Sequence, residues 1–108
     1  MKLKITLNSI LANDIVNALQ TKRFDIEWVR FNYCNAYTTE GALIEITIGN
    51  EDYYVLPIMS YTTIVGFVYN NVVYEVGKYS RTTSKQFTQI CNTYFPNFDR
   101  VYMEKRYC

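Results

Sequence analysis

The sequence predicts an α+β domain in which an antiparallel sheet of about five strands carries two amphipathic helices packed on one face. Segments that alternate apolar and polar residues recur along the chain, and this is the period of β-strands. Two other segments repeat their apolar residues every three or four positions, as helices with one buried side do. The 108 residues predict a single domain over residues 1–108, long enough to bury a core without a metal or a disulfide.

The first predicted helix follows a short strand at residues 2–6. Asn8 is suited to cap its N-terminus, and the helix is expected to run to about Thr21. Its apolar positions form one stripe, made of Leu7, Leu11, Ile15, Ala18 and Leu19. A helix of this length depends on packing such a stripe against a sheet more than on its own propensity.

The next predicted strand covers residues 24–33. Its apolar residues change sides at Trp28 and Val29. Either a β-bulge or a strong twist near Val29, or burial of both faces at the end of the strand, explains the change. Residues 34–41 are then expected to be a polar connection.

Two hairpins are predicted in the middle of the chain. The first pairs residues 42–48 with residues 53–59, and because Pro57 cannot donate to a ladder, its strand is expected to end there or to lie at a sheet edge. The second pairs residues 61–69 with residues 72–76 around an Asn-Asn turn, since asparagine tolerates the left-handed backbone of a two-residue turn.

The second predicted helix begins with Thr83 and Gln86, which fit a capping box of the form Thr-x-x-Gln. Its apolar face consists of Phe87, Ile90, Cys91 and Tyr94. The helix should stop before Pro96, and a final short strand is expected within residues 99–107.

Composition argues against several classes of function. The chain has no histidine, which removes Ser-His-Asp and Cys-His catalysis and most zinc sites. Its net charge is +1, with 11 basic and 10 acidic residues, whereas dedicated nucleic-acid binders have a clear basic excess. Three cysteines without a C-x-x-C spacing indicate reduced thiols in a cytosolic protein. No enzymatic activity, cofactor, metal or membrane partner is therefore expected, and the protein is predicted to be cytoplasmic.

One stretch stands out as a candidate binding site for a phosphate or an acidic partner. No acidic residue occurs between Val76 and Phe98, and basic and hydroxyl side chains surround the predicted start of the second helix, where free N–H groups and the helix dipole favour an anion. The candidate residues are Lys78, Tyr79, Arg81, Thr82, Thr83, Ser84 and Lys85. The alternative is a well-capped helix preceded by a solvated basic loop.

The same part of the chain resembles small accessory proteins of bacteriophages and related mobile elements. The resemblance is carried by the segment SYTTIVGF at residues 60–67 and the segment KYSRTTSKQ at residues 78–86, and it covers about the last half of the chain. It implies a phage protein directed at its host, for example an inhibitor of a defence system such as an anti-CRISPR protein. It assigns no catalytic or binding residue.

Three hypotheses for function follow. The first is a non-catalytic module that binds a host protein, supported by 11 tyrosines, a residue type enriched at interfaces. The second is a single-stranded nucleic-acid binder that stacks bases on sheet aromatics and holds phosphates with the 78–85 loop. The third is a small enzyme. Homodimerisation through an open sheet edge is compatible with either kind of binder, and salt dependence separates the first two.

Overall fold

The structure, a computed structural model, is described for residues 7–22, 27–31, 36–39, 41–76 and 81–103. These ranges contain two helices and seven strands, which confirms the α+β class and exceeds the expected number of strands. The elements are α1 (Ser9–Lys22), β1 (Val29–Arg30), β2 (Ala36–Thr38), β3 (Ile44–Ile48), β4 (Glu51–Ser60), β5 (Thr63–Tyr69), β6 (Val72–Val76), α2 (Arg81–Tyr94) and β7 (Asp99–Met103). No helix within the described ranges is both long and apolar enough to cross a bilayer.

The strands form one mixed sheet in the order β1-β2-β4-β5-β6-β7, with β3 paired to the first half of β4. All described pairs are antiparallel except β6 and β7, which run parallel. The expectation of an antiparallel sheet is therefore wrong for this last pair. The reason is the connection: α2 carries the chain back along the sheet, so β7 starts at the same end as β6.

The first helix forms as its capping residue predicts. The backbone N–H of Leu11 donates to Oδ1 of Asn8 over 2.8 Å, and α1 begins at the following residue. Ile15 and Leu19 of the predicted stripe are fully buried. The cap and the apolar stripe are both confirmed.

The two helices pack on opposite faces of the sheet, so the prediction of a single covered face is wrong. Residues of α1 share a core cluster with one set of strand residues, which defines the α1 face: Ile46, Val55, Met59, Ile64, Phe67, Val72, Tyr74 and Val76. Residues of α2 share a second cluster with the alternate set, which defines the α2 face: Ala36, Ile58, Val65, Val68 and Val73. Alternation along strands that are apolar on both sides gives the sheet two faces to bury.

The early strands differ most from expectation. Of the strand predicted over residues 24–33, the described part that forms a strand is only Val29–Arg30. Residues 36–38, predicted as part of a polar connection, form β2 instead. Thr38 is buried there, so a polar composition concealed a strand. Residues 23–26, on which the bulge interpretation partly rests, lie outside the described residues.

Pro57 lies inside β4 and not at an edge, which corrects the prediction made from its missing N–H. On one side β4 pairs with β3 as far as Val55 and with β2 from Met59 onward. The carbonyl of Pro57 points into the gap between these neighbours, where it accepts a 2.9 Å hydrogen bond from the Thr38 hydroxyl. The nitrogen of a strand residue points to the same side as its carbonyl, so no ladder hydrogen bond is lost.

The hairpin between β5 and β6 follows its prediction. Asn70 and Asn71 have φ angles of 53° and 62°, as a two-residue turn between twisted strands requires. The β4–β5 pair also contains an irregularity, because Ile58 and Met59 oppose Gly66 and Ile64. The extra residue on β5, Val65, explains why Ile64 and Phe67 share the α1 face although they are three positions apart.

Candidate binding surface

The described residues form a cavity of about 420 Å³ on the α2 face. It lies between the β1–β2 hairpin, the middle of β4 and the C-terminal end of α2. Its lining is Val29, Arg30, Phe31, Thr38, Gly41, Leu56, Tyr94 and Phe95. This volume and a mainly apolar lining with few polar groups are typical of ligand or side-chain pockets.

The cavity exists because α2 covers only part of its face. The buried side chains of the helix, Phe87, Ile90 and Cys91, share a cluster with residues of β4, β5 and β6. The helix ends at Tyr94, whose ring lies 4.8 Å from that of Phe31. Beyond this contact no described helix covers Leu56, which is only half-buried.

The outer surface of the β3–β4 hairpin continues from the cavity. Tyr54 lies two residues before Leu56, so both side chains project from the same face of β4. Glu45 is directly opposite Tyr54 in the register, and farther along the hairpin the Thr47 hydroxyl donates to Asp52 over 2.7 Å. Tyr54 has 54% of its surface exposed, and Glu45 and Asp52 are also exposed. We call the cavity and this hairpin surface together the cavity–hairpin surface.

The charge of the β3–β4 hairpin is one-sided, whereas the cavity beside it includes one cation, Arg30, in its lining. Residues 41–76 contain no lysine or arginine, whereas they contain Glu45, Glu51, Asp52 and Glu75. Glu75 is paired with Arg100, as described below. The other three carboxylates lie on the β3–β4 hairpin and are exposed, which makes this end of the molecule acidic.

The other half of the α2 face is closed by an ion pair between the buried Glu75 and the partly exposed Arg100. Nη2 of Arg100 lies 2.6 Å from Oε1 of Glu75, and its Nη1 donates to the Thr88 hydroxyl over 2.8 Å. The guanidinium also lies over the Phe87 ring, 5.3 Å from its centroid. Glu75 is only 5% exposed, because α2 packs over the side of β6 that carries it.

Two buried titratable groups have raised pKa values. Burial raises the pKa of the Cys91 thiol above its ordinary value of 9.0; the nearby Arg100 opposes the shift and Glu75 adds to it. Burial likewise raises the pKa of Tyr74 above 10.0, although the N–H of Leu7 donates to its oxygen and works in the opposite direction. Both groups therefore stay protonated at neutral pH and serve the core.

The predicted anion site at the start of α2 stays a prediction. Lys78 and Tyr79 lie outside the described residues, and the side chains of Arg81, Thr82, Thr83 and Ser84 are not among those described. Lys85 is exposed on the first turns of α2. The helix begins at Arg81, so Thr83 lies within its first turn and is not the capping residue. The side-chain oxygen Oε1 of Gln86 instead accepts a 3.4 Å hydrogen bond from the Ser60 hydroxyl.

Most aromatic side chains of the sheet pack against other side chains of the protein. Phe67 and Tyr74 stack in the core with their centroids 4.9 Å apart, and the rings of the partly buried Tyr53 and Tyr69 meet edge to face at 5.7 Å. Among the described tyrosines on strands, Tyr54 and Tyr102 are more than half exposed. They lie on β4 and β7, with two strands between them.

Sequence reasoning missed most of the cavity. Val29, Arg30 and Phe31 were assigned to a long strand, while Thr38 and Gly41 were assigned to a connection. The described residues contain no cluster of three or more His, Cys, Asp or Glu side chains placed to hold a metal ion. Neither a protein-family model, nor a curated protein, nor a solved structure matches the chain.

Proposed function

We propose that this protein is a non-catalytic binding module that attaches to another protein through the cavity–hairpin surface. One observation carries the proposal: an exposed tyrosine and a cavity lined mainly by apolar side chains occur side by side on the half of the α2 face that the helix leaves uncovered. Tyrosine-centred anchors beside pockets are the parts of protein interfaces that hold most binding energy.

The resemblance to phage accessory proteins supports a host protein as the partner, including a component of a defence system. Binding of this kind needs no activated nucleophile. The raised pKa of Cys91 is consistent with that, because the thiolate and not the thiol is the reactive form.

Single-stranded nucleic acid is the alternative partner. Base stacking needs adjacent exposed rings, whereas Tyr54 and Tyr102 are separated by two strands. The carboxylates on the β3–β4 hairpin also repel phosphates. These observations favour a protein partner at this surface.

The test is affinity capture from bacterial host lysate, with and without nuclease, using the tagged chain and two matched variants. Tyr54→Ala removes the exposed ring of the cavity–hairpin surface. Tyr61→Ala removes a ring of similar exposure, 57% against 54%, from the turn between β4 and β5. Circular dichroism and thermal unfolding establish that both variants remain folded.

We expect a host protein that survives nuclease treatment, is retained by Tyr61→Ala and is lost or weakened about tenfold with Tyr54→Ala. Capture that disappears with nuclease contradicts the proposal and favours nucleic acid. Capture that is equal for both variants places the interface elsewhere, and an empty capture also counts against the proposal.

A further inference from the structure

The cavity–hairpin surface has a chemistry that restricts what can bind there. We infer that it takes a basic segment of a partner protein, in which one aliphatic or aromatic side chain enters the cavity while lysine or arginine residues lie against the acidic β3–β4 hairpin. This inference rests on the proposed function and specifies its partner.

The cavity accounts for the apolar anchor. Its volume of about 420 Å³ exceeds that of a single large side chain, and Val29, Leu56 and Phe95 supply apolar walls. Burying one leucine or phenylalanine side chain against such walls removes apolar surface from water and favours binding. The hydroxyl of Thr38, a polar lining residue, already donates a hydrogen bond to the Pro57 carbonyl. Its hydrogen-bond donor is therefore satisfied without a polar ligand.

The hairpin accounts for the basic residues. Glu45 and Asp52 are exposed on the same face of the hairpin as Tyr54. Glu51 is exposed on the other side of β4, and residues 41–76 contain no cation of their own. The negative potential of these carboxylates raises the association rate of a basic partner relative to a neutral or acidic one. It also fixes how a basic partner is aligned on the hairpin.

The register of the hairpin fixes the spacing between the two features. Tyr54 and its cross-strand neighbour Glu45 lie two residues from Leu56 along β4, a distance of about 7 Å. Asp52 lies four residues from Leu56, about 13 Å away. An extended partner segment therefore needs its basic residues two to four positions from the apolar anchor.

The test is selection of a random dodecapeptide display library against the immobilised full chain at low salt. We expect enriched peptides to carry a large apolar residue with lysine or arginine two to four positions away. Enrichment of acidic peptides, of peptides without an apolar anchor, or of no peptide at all overturns the inference.

Binding of an enriched peptide is then measured by fluorescence anisotropy against charge-matched variants of the chain. Glu45→Lys should weaken binding about tenfold, whereas Asp14→Lys, which makes the same charge change on an exposed position of α1, should change it less than about twofold. Val29→Trp, which fills the mouth of the cavity, should weaken binding about tenfold, and Ile10→Trp should leave it unchanged. Equal effects within either pair contradict the inference.

The two proposals fail in different ways. If host capture depends on Tyr54 but selected peptides show no basic preference, the protein-binding function stands and the basic partner is wrong. If size-exclusion chromatography with light scattering gives a dimer that Glu45→Lys converts to a monomer, a second copy covers this surface and the inference is overturned.

Discussion

The helices cover the two faces of the sheet to different extents. On the α1 face, Ala12, Ile15 and Leu19 are fully buried against residues from β3 to β6. On the α2 face, the helix buries Phe87 and Ile90 over β5 and β6 but ends beside a cavity at β4. A helix that covers only part of a sheet leaves apolar side chains such as Leu56 half-buried at its border.

The closed half of the α2 face also explains the position of its glycine. A Cβ atom on Gly66 would lie 2.2 Å from the carbonyl oxygen of Tyr74 and 2.8 Å from Cε2 of Phe87. The backbone of β6 and the Phe87 ring of α2 therefore both lie closer to this strand than a Cβ atom permits. The uncovered surface is confined to the other half of the face.

The largest stability effect is expected for Gly66→Ala. The new methyl group meets a backbone oxygen that cannot rotate away, so the free energy of unfolding should fall by about 4 kcal/mol or the chain should fail to fold. Gly49→Ala is the control: its φ of +63° disfavours alanine, but no atom lies within 4 Å, and a loss of about 1 kcal/mol is expected. Urea unfolding compares them, and similar losses would mean that the β6 backbone and the Phe87 ring do not lie this close to Gly66.

The same leucine-to-alanine substitution on the two faces tests the comparison directly. Leu19 is fully buried on the α1 face, and its truncation should cost about 3 kcal/mol because it leaves a cavity. Leu56 already borders a cavity, so its truncation should cost about 1 kcal/mol. Equal losses in urea unfolding would show that the α2 face is as closed as the α1 face.

The ion pair between Glu75 and Arg100 is expected to give the next largest effect on stability. Arg100→Met leaves the buried Glu75 carboxylate without its guanidinium partner, and the partial exposure of the arginine side chain, 34%, moderates the loss to about 2 kcal/mol. The double variant Glu75→Met with Arg100→Met should regain most of that stability, since no charge remains buried. A double variant no more stable than Arg100→Met would contradict this account.

The smallest effect concerns alkaline pH. Folding raises the pKa of Cys91, so the unfolded chain loses the thiol proton first and the free energy of unfolding should fall as the pH rises above 9.0. Tyr74 adds a further fall above 10.0. Cys91→Ala should flatten the slope between these two values. An unchanged slope in urea titrations would show that the thiol is not buried in solution.

Local signals allowed the sequence to predict one part of this fold well. The Asn8 cap, the stripe at Ile15 and Leu19, and the Asn70-Asn71 turn each depend on a few neighbouring residues, and each is confirmed. The placement of the helices on opposite faces could not be predicted in this way. Strands that are apolar on both sides do not indicate which helix covers which side.

The candidate surface was hidden for the same reason. The strand at Ala36–Thr38 has no apolar alternation. Pro57 on the neighbouring strand β4 predicted a sheet edge, because the sequence does not show the gap between β2 and β3 that accommodates it. The cavity joins residues from four separate segments, among them Val29, Gly41 and Tyr94. Only tertiary structure brings these together. The acidity of residues 41–76 was readable from the sequence, but its place beside a cavity was not.

The most direct test of the account is photo-crosslinking in host cells, with p-benzoylphenylalanine placed singly at Tyr54, at Tyr61 and at Lys85. These positions sample the cavity–hairpin surface, the turn between β4 and β5, and the first turns of α2. The account predicts a nuclease-resistant protein adduct from position 54 and none from position 61. A protein adduct from position 85 or 61 without one from position 54 would contradict it and would move the interface away from the uncovered half of the α2 face.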